Sequence, residues 1–290
     1  MNTPVPPVPA PILVGQPFGQ SESNLLRWLR ADQGVALAAG PKVQRWQDLS
    51  IGLPLPAIYR KGDFVQDDTN FQPTLVTTAR GSAIRFDGTN WLTNKNLRQT
   101  DPTPPSGNSA KSVNTMIALV QPAAKLPPPL PSPGHANPPY TIMGNQHFQV
   151  WVELGIRPAG LRDYEFCYVY HNDPGDVQPQ LLSAQIPLSG TKPHMVAVTW
   201  DPNSLITPAL YVNAGTPVSV HIGFGQPFPK GLGHTCIGGG ISDIQNPDGD
   251  FTKATNLFAG DIYEIIAYNG ALSKEDIAFL YHYMQLTWGI

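Results

Sequence analysis

Charged residues are scarce in this sequence of 290 residues: they make up 13% of the chain, about half of the usual share of roughly 25%. The net charge is −3 and the pI is about 6.1. A basic footprint for nucleic acid is therefore missing. Hydrophobic residues make up 41%, which argues against wholesale disorder and predicts a substantial core. The length predicts one large domain or two modest ones.

Cysteine and long apolar runs are also scarce. The two cysteines, Cys167 and Cys236, exclude a disulfide framework; we expect two buried thiols, with a single bridge as the alternative. No apolar run approaches the roughly 18 residues that a membrane-spanning helix needs. The first residues lack a basic region and contain several prolines, so we expect no secretory signal there.

Proline and glycine, by contrast, are abundant, with 32 and 27 residues. They exclude a coiled coil, a helical bundle or a helical repeat as the main architecture. Residues 1–20 form a separate proline-rich arm that favours an extended polyproline II conformation. Either the arm is a floppy tail, or it docks on a neighbouring subunit. In the docking interpretation the contact residues are Pro4, Val5, Pro6, Pro7, Val8 and Pro9.

Residues 21–290 contain about a dozen short runs rich in Val, Ile, Tyr, Phe and Trp, each bounded by Gly, Pro, Asn or Asp. In Met195–Trp200 the bulky residues alternate, which is typical of a strand with one buried face. This pattern predicts an all-β domain, an antiparallel β-sandwich. Proline-rich loops interrupt it at residues 100–112 and 121–140, and we interpret the second as an interaction loop.

One helix is predicted at the C-terminal end, with Ser273 as its N-cap and acidic residues in its first turn. Its apolar residues repeat with helical spacing, and we expect it to pack on the sandwich edge. The repeating residues are Ile277, Leu280, Tyr281 and Met284.

Several of these segments resemble the laminin-G-like branch of the concanavalin A-like jelly rolls. The strongest stretch runs from Phe258 to Asn269 (FAGDIYEIIAYN) and continues through Ala271-Leu272-Ser273 into the final helix. The resemblance covers roughly residues 24–290 and implies a jelly-roll sandwich with a short terminal helix. It leaves function open, because the family includes glycan-binding modules, adhesion domains, glycoside hydrolases and decorations on viral particles. The supporting segments are Leu29–Val35, Val43–Ser50, Ala83–Gly88, Val196–Asp201 and Leu210–Asn213.

The hydrolases of this family use a strand motif that resembles E-x-D-x-x-E. Here Asp261 and Glu264 match its last two acids, but Ala259 replaces the nucleophile. Three residues apart on a regular strand, the two acids should point to opposite faces, so we expect structural roles. Asp163 and Glu165 share a face, but no third acid follows. The sequence therefore predicts no enzyme and no catalytic residues.

Glycan binding needs aromatic faces beside polar hydrogen-bonding groups, and one strand offers them. If the alternate residues Cys167 and Val169 face the core, the aromatic stripe is an exposed platform; if the aromatic residues form the core, there is no such site. The stripe consists of Tyr164, Phe166, Tyr168 and Tyr170.

Calcium is the one cofactor that the sequence raises, and calcium-dependent recognition is typical of parts of the resembled family. Asp248 and Asp250 flank a glycine in a turn and offer hard oxygen ligands, although a plain turn has the same pattern. Residues 67–70 are a weaker candidate.

These features favour a non-catalytic structural or adhesion module. We expect a virion surface protein, a phage capsid decoration or tail-associated protein that is made in the host cytoplasm. It would be present in many copies or as a homo-oligomer and would bind other virion proteins, with surface glycans as a further ligand. The alternative is a free, extracellular lectin module, with or without calcium. A glycoside hydrolase is the third possibility.

Overall fold

The computed structural model describes residues 25–52, 62–94, 115–124, 140–147, 150–158, 164–171, 180–186, 192–200, 208–219, 234–241, 254–268 and 270–290. The proline-rich arm, the loop at 100–112 and most of the loop at 121–140 lie outside these ranges, as do Asp163, Asp248 and Asp250. Within the described residues no helix has both the length and the apolar character needed to cross a membrane.

The first of two large sheets has eight strands. Its long central strand β19 pairs with β8 along one side, and with β6 and then β1 along the other. The strands are β1 (Leu25–Arg30), β5 (Thr74–Thr78), β6 (Gly81–Asp87), β8 (Thr115–Pro122), β13 (His194–Thr199), β14 (Ala209–Val212), β15 (Val218–Ser219) and β19 (Ala259–Tyr268).

The second sheet has nine strands in the order β12-β11-β10-β9-β16-β7-β4-β3-β2, and a small hairpin of β17 and β18 follows β16 in the chain. The nine strands are β2 (Val35–Leu37), β3 (Val43–Trp46), β4 (Phe64–Val65), β7 (Leu92–Thr93), β9 (Tyr140–His147), β10 (Val150–Pro158), β11 (Tyr164–His171), β12 (Gln180–Ile186) and β16 (His234–Ile237). The hairpin comprises β17 (Gly240–Ile241) and β18 (Ala254–Thr255). Neighbouring strands in all three sheets are antiparallel.

The main core lies between the two large sheets, and the alternation of each strand explains which residues enter it. Val196 and Val198 of β13 belong to one buried cluster together with Leu154 and Ile156 of β10. The bulky face of Met195–Trp200 turns into this core as predicted, but the other face is buried as well, because Met195 and Ala197 lie in the cluster under the helix. The expected fold, an all-β antiparallel sandwich with a C-terminal helix, is confirmed.

Helix α1 (Lys274–Trp288) packs on the outer face of the eight-stranded sheet, not on its edge as expected. Ile277, Leu280 and Met284 are buried against that face together with Tyr283, and the expected Tyr281 packs against the same cluster while half-buried. A helix with so wide an apolar face covers more surface over the middle of a sheet than along its rim. Ser273 caps the helix as predicted, and its side chain and that of Asp276 form a capping box.

The prediction that Asp261 and Glu264 point to opposite faces is wrong, because β19 contains a β-bulge. The register with β8 shifts between Ile262 and Glu264. Ile262 and Ile265 enter the core between the sheets, whereas Tyr263 faces the helix. Glu264 also contacts the helix side, so the extra residue turns two successive side chains outward. A regular strand cannot do this.

Candidate functional site

The predicted aromatic platform on β11 is corrected by the structure. Phe166 and Tyr168 are buried in the core between the sheets, so the alternative interpretation applies to them and they offer no exposed surface. The side chains of Tyr164 and Tyr170 lie outside the described parts of the chain. The physical reason is burial: Phe and Tyr rings remove more apolar surface from water than Cys and Val do on the opposite face.

The outward face of β11 belongs to a buried row of residues on the nine-stranded sheet that contains the acid Glu153. Strand register aligns Cys236 with Gly144, Gly144 with Glu153, and Glu153 with Val169. A Cβ atom on Gly240 would overlap the Glu153 carboxyl, which places the β17–β18 hairpin directly over that group. Glu153 of β10 is therefore enclosed by β9, by β11 and by the β17–β18 hairpin.

Electrostatics distinguish the two acids on this face. Burial raises the pKa of Glu153 to about 7, and the facing side chains of Thr141 and Asn256 only partly oppose the shift. Glu165 is instead paired with Arg157 from the neighbouring strand. Burial also raises the pKa of both thiols, Cys167 and Cys236. The two cysteines are free and buried, as expected.

The acids singled out on β19 are both held by structural partners. Arg85 donates two hydrogen bonds to Asp261, at 2.7 and 2.8 Å. Glu264 accepts from the indoles of Trp28 and Trp288, each at 2.7 Å. These contacts join the helix and neighbouring strands to β19, which agrees with the structural roles that we expected.

Two loops at one end of the sandwich form an exposed polar surface, which we call the Phe71 loop pair (residues 66–73 and 88–91). The first loop crosses from β4 in the nine-stranded sheet to β5 in the other, and the second crosses back from β6 to β7. Because β4 pairs with β7 and β5 pairs with β6, the two crossings lie side by side.

Buried amide side chains brace the loop pair. Gln72 donates to the Gln66 carbonyl at 2.7 Å, and Gln66 donates to the Trp91 carbonyl at 3.3 Å. Asn90 donates to the Gln72 carbonyl, while its own oxygen accepts from the backbone N–H of Asp87. A loop that is fixed in this way loses little entropy when a ligand binds.

The outer surface of the loop pair combines an aromatic ring with polar groups. The Phe71 side chain is 38% exposed, and its ring centroid lies 6.5 Å from that of the buried Trp91. Around it are the exposed residues Asp68 and Asn70, with Asp87 at the end of β6. This is the combination of an apolar face and hydrogen-bonding groups that the sequence led us to expect on β11.

The weaker calcium candidate lies in this loop pair. Asp68 Oδ1 accepts from the backbone and the side-chain amide of Asn70, at 2.9 and 3.0 Å, which closes a turn. Among the residues that the structure describes, no group of three or more His, Cys, Asp or Glu side chains is arranged to hold a metal ion. The stronger candidate, Asp248 and Asp250, lies outside the described residues.

Sequence reasoning did not single out Glu153 or Phe71, although both left a signal. Glu153 is one acid within the apolar run Val-Trp-Val-Glu-Leu-Gly-Ile, where a charge is costly. Phe71 is one aromatic residue directly after Asp67-Asp68-Thr69-Asn70, a composition that turns favour. The pairing of the two loops depends on sheet topology, which no short motif encodes.

No family model and no curated protein matches this chain. Among solved structures, the chain is similar to the CBM40 of the Ruminococcus gnavus IT-sialidase. The identity is 14% over 59% of this chain and 84% of that chain, with a TM-score of 0.42. It is also similar to domain 4 of AbnA, a GH43 extracellular arabinanase from Geobacillus stearothermophilus, solved with arabinotriose. There the identity is 15%, the coverage 72% and 80%, and the TM-score 0.43.

A third similar structure is the Trypanosoma rangeli sialidase in complex with 2,3-difluorosialic acid. The identity is 17%, the TM-score is 0.49, and the match covers 89% of this chain but 32% of that one. The chain thus spans about a third of that sialidase. These likenesses are too distant to assign a ligand or a reaction.

Proposed function

We propose that this chain is a non-catalytic binding module that holds neutral glycans on the Phe71 loop pair and attaches to a larger assembly through its N-terminal arm. The observation that carries the glycan half is the exposed Phe71 ring, set among Asp68 and Asn70 on braced loops. A sugar presents an apolar face and a rim of hydroxyls. The ring matches the face and the polar side chains match the hydroxyls.

The charge of the loop pair selects the class of glycan. Asp67, Asp68 and Asp87 are exposed there, while the Lys42 ammonium is turned toward the Gln72 carbonyl, at 3.2 Å. Carboxylates accept hydrogen bonds from hydroxyl groups and repel anions. We therefore propose neutral rather than sialylated sugars.

The attachment half of the proposal follows from composition. Residues 1–20 contain no charged side chain and are rich in proline, so ordering them on a partner costs less entropy than ordering a flexible tail. The proposed setting is a virion surface, where the chain acts as a capsid decoration or tail-associated protein made in the host cytoplasm. An extracellular lectin is the alternative setting.

No catalytic step is part of this proposal. Asp261 is paired with Arg85, and Glu165 with Arg157. Two-carboxylate hydrolysis needs one acid free to protonate and another free to attack or to activate water. The contacts of these acids support structural roles. Hydrolysis of a glycan that disappears on alanine substitution of Asp261, Glu264 or Glu165 would contradict this view.

A glycan array with multivalent display tests the glycan half. We expect the wild-type protein to bind neutral glycans and Phe71→Ala to lose at least about ten-fold in affinity, since the ring supplies the apolar contact. Leu37→Ala is the matched control, because Leu37 is also an exposed apolar side chain, 44% accessible, but lies in β2. A parallel array with chelator reports on calcium. Uniform background, or signal on sialylated glycans alone, would contradict the proposal.

A limited proteolysis experiment tests the attachment half. We expect residues 1–20 to resist cleavage in the native assembly and to be cut in the isolated chain when it is diluted to a monomer. Cleavage at equal rates in both would contradict docking through the arm, whatever the array shows.

A further inference from the structure

Helix α1 has a second apolar stripe, on the side that faces away from the sheet. The side chains of Phe279 and Leu286 are 46% and 75% exposed. They are seven residues apart, which places them on one side of the helix, about 10 Å apart along its axis. His282 is exposed between them. We call Phe279, His282 and Leu286 the α1 stripe.

The α1 stripe differs from every other exposed apolar site among the described residues. Among the described residues, four large apolar side chains are exposed. Two of them belong to the α1 stripe, whereas the other two, Leu37 and Phe71, lie on separate elements. From Phe279 to Leu286 the sequence contains no Asp, Glu, Lys or Arg. An uncharged, paired apolar surface of this kind is typical of a protein contact.

The N-terminal arm has the chemistry that fits this stripe. Residues 1–20 contain no charged side chain, and their contact segment Pro4–Pro9 consists of four prolines and two valines. Extended proline-rich segments dock on surfaces that offer aromatic side chains, because their conformation is already set and little entropy is lost. Phe279 is the aromatic side chain of the stripe.

The described chain also begins on the face of the sheet that carries α1. Leu25, the first described residue, pairs with Tyr268 at the end of β19, and it belongs to the same buried cluster as Ile277 and Leu280 of the helix. The first described residue therefore lies on the face of the sheet that α1 covers.

The length of the arm permits contact with a second copy. Pro9 precedes Leu25 by 16 residues, and a chain of that length reaches up to about 50 Å when extended. The helix has 15 residues and spans about 22 Å. This reach exceeds the length of the chain's own helix and is sufficient for the helix of a neighbouring copy.

We propose that the α1 stripe of one copy receives residues 4–9 of the N-terminal arm of a second copy. This inference rests on the attachment half of the proposed function and names its partner. The contact is heterologous, arm to stripe, so reciprocal exchange closes a dimer and one-way exchange builds a larger array. In an assembly of many copies, the arm of each copy then binds the α1 stripe of the next copy.

Sedimentation velocity of the full chain over a range of concentrations tests the inference. We expect the wild-type protein to self-associate. An arm variant, Val5→Asp with Val8→Asp, and a stripe variant, Phe279→Glu with Leu286→Glu, should each associate at least about ten-fold more weakly, because a charge must be buried. Leu37→Glu, at an exposed site outside α1, is the control and should behave as the wild type does.

Mixing the two variants gives the decisive result. The arm variant keeps an intact stripe and the stripe variant keeps an intact arm, so the mixture should form a one-to-one complex. A mixture that stays monomeric, a monomeric wild type, or an arm variant that still associates through its stripe would each overturn the inference. Circular dichroism checks folding; if the charged stripe variant unfolds, Phe279→Ala with Leu286→Ala replaces it. Phe71 lies outside α1, so a negative glycan array leaves this readout unaffected.

Discussion

Tyr283 of α1 donates a hydrogen bond from its hydroxyl to Oε1 of Glu264 in β19, across 3.1 Å. The same hydroxyl accepts from Nη1 of Arg30 at 3.3 Å. Burial raises the pKa of Glu264, while the donors Trp288 and Trp28 lower it. A buried carboxylate is stable only where such partners replace water. This network fixes the position of α1 on the sheet, and therefore the direction in which the α1 stripe points.

We expect Tyr283→Phe to lower the free energy of unfolding by about 1–3 kcal/mol, because it leaves Glu264 and Arg30 each without one hydrogen-bond partner in a buried site. The ring itself is retained, so no large cavity forms. Denaturant unfolding followed by circular dichroism measures the change. The matched control is Tyr281→Phe, a half-buried neighbour on the same helix. Equal effects of the two substitutions would show that the network contributes nothing specific.

The helix and the strands were predictable because their signals are local. The Ser273 cap and the spacing of Ile277, Leu280 and Met284 lie within a few turns, and the alternation in Met195–Trp200 needs no partner to be recognised. The face that each strand turns to the core could not be predicted in the same way: on β11 both alternatives were open, and only the position of the opposite sheet decides between them.

The bulge in β19 was not predictable for the same reason. Tyr263 reaches Thr78 and Gln121, while Glu264 reaches the helix. Both contacts depend on elements outside β19, and together they turn two successive residues to one face. The Phe71 loop pair likewise exists only because two crossings meet at one end of the sandwich.

Substitution of Gly238 tests the close approach between the end of β16 and the opposite sheet. Its φ is +79°, and a Cβ atom there would overlap the ring of Phe86 in β6. We expect Gly238→Ala to cost about 3 kcal/mol or more, from the left-handed conformation together with displacement of a core ring. Thermal and denaturant unfolding measure the loss.

Gly40 is the control for this prediction, because its φ is +60° and nothing lies within 4 Å of a Cβ atom there. Gly40→Ala should cost only the conformational strain, about 1–2 kcal/mol. If the two substitutions were equally costly, the packing of Gly238 on Phe86 would not matter to stability.

Glu153 gives the fold a pH dependence whose sign follows from its burial. The pKa rises from an ordinary 4.5 to about 7 in the folded chain. Between these values the folded chain keeps a proton that the unfolded chain has released, so stability falls as the pH increases. The contribution is fully present below about pH 4.5 and is lost by about pH 7, with a total on the order of 3 kcal/mol.

The groups that face Glu153 do not reverse the direction of this change in stability with pH. Cys236 and Cys167 stay protonated, because burial raises the pKa of both thiols, and Glu165 is paired with Arg157.

We expect Glu153→Gln to flatten the fall in stability between pH 5 and 8 relative to the wild type, since the amide keeps the shape of the neutral acid and has no proton to lose in that range. Unfolding free energies at a series of pH values measure the slope. Glu275→Gln, in the exposed first turn of α1, is the control and should leave the slope unchanged. A Glu153→Gln protein with the wild-type slope would show that the buried carboxyl does not titrate in this window, and that the hairpin over it is held equally well by a charged group.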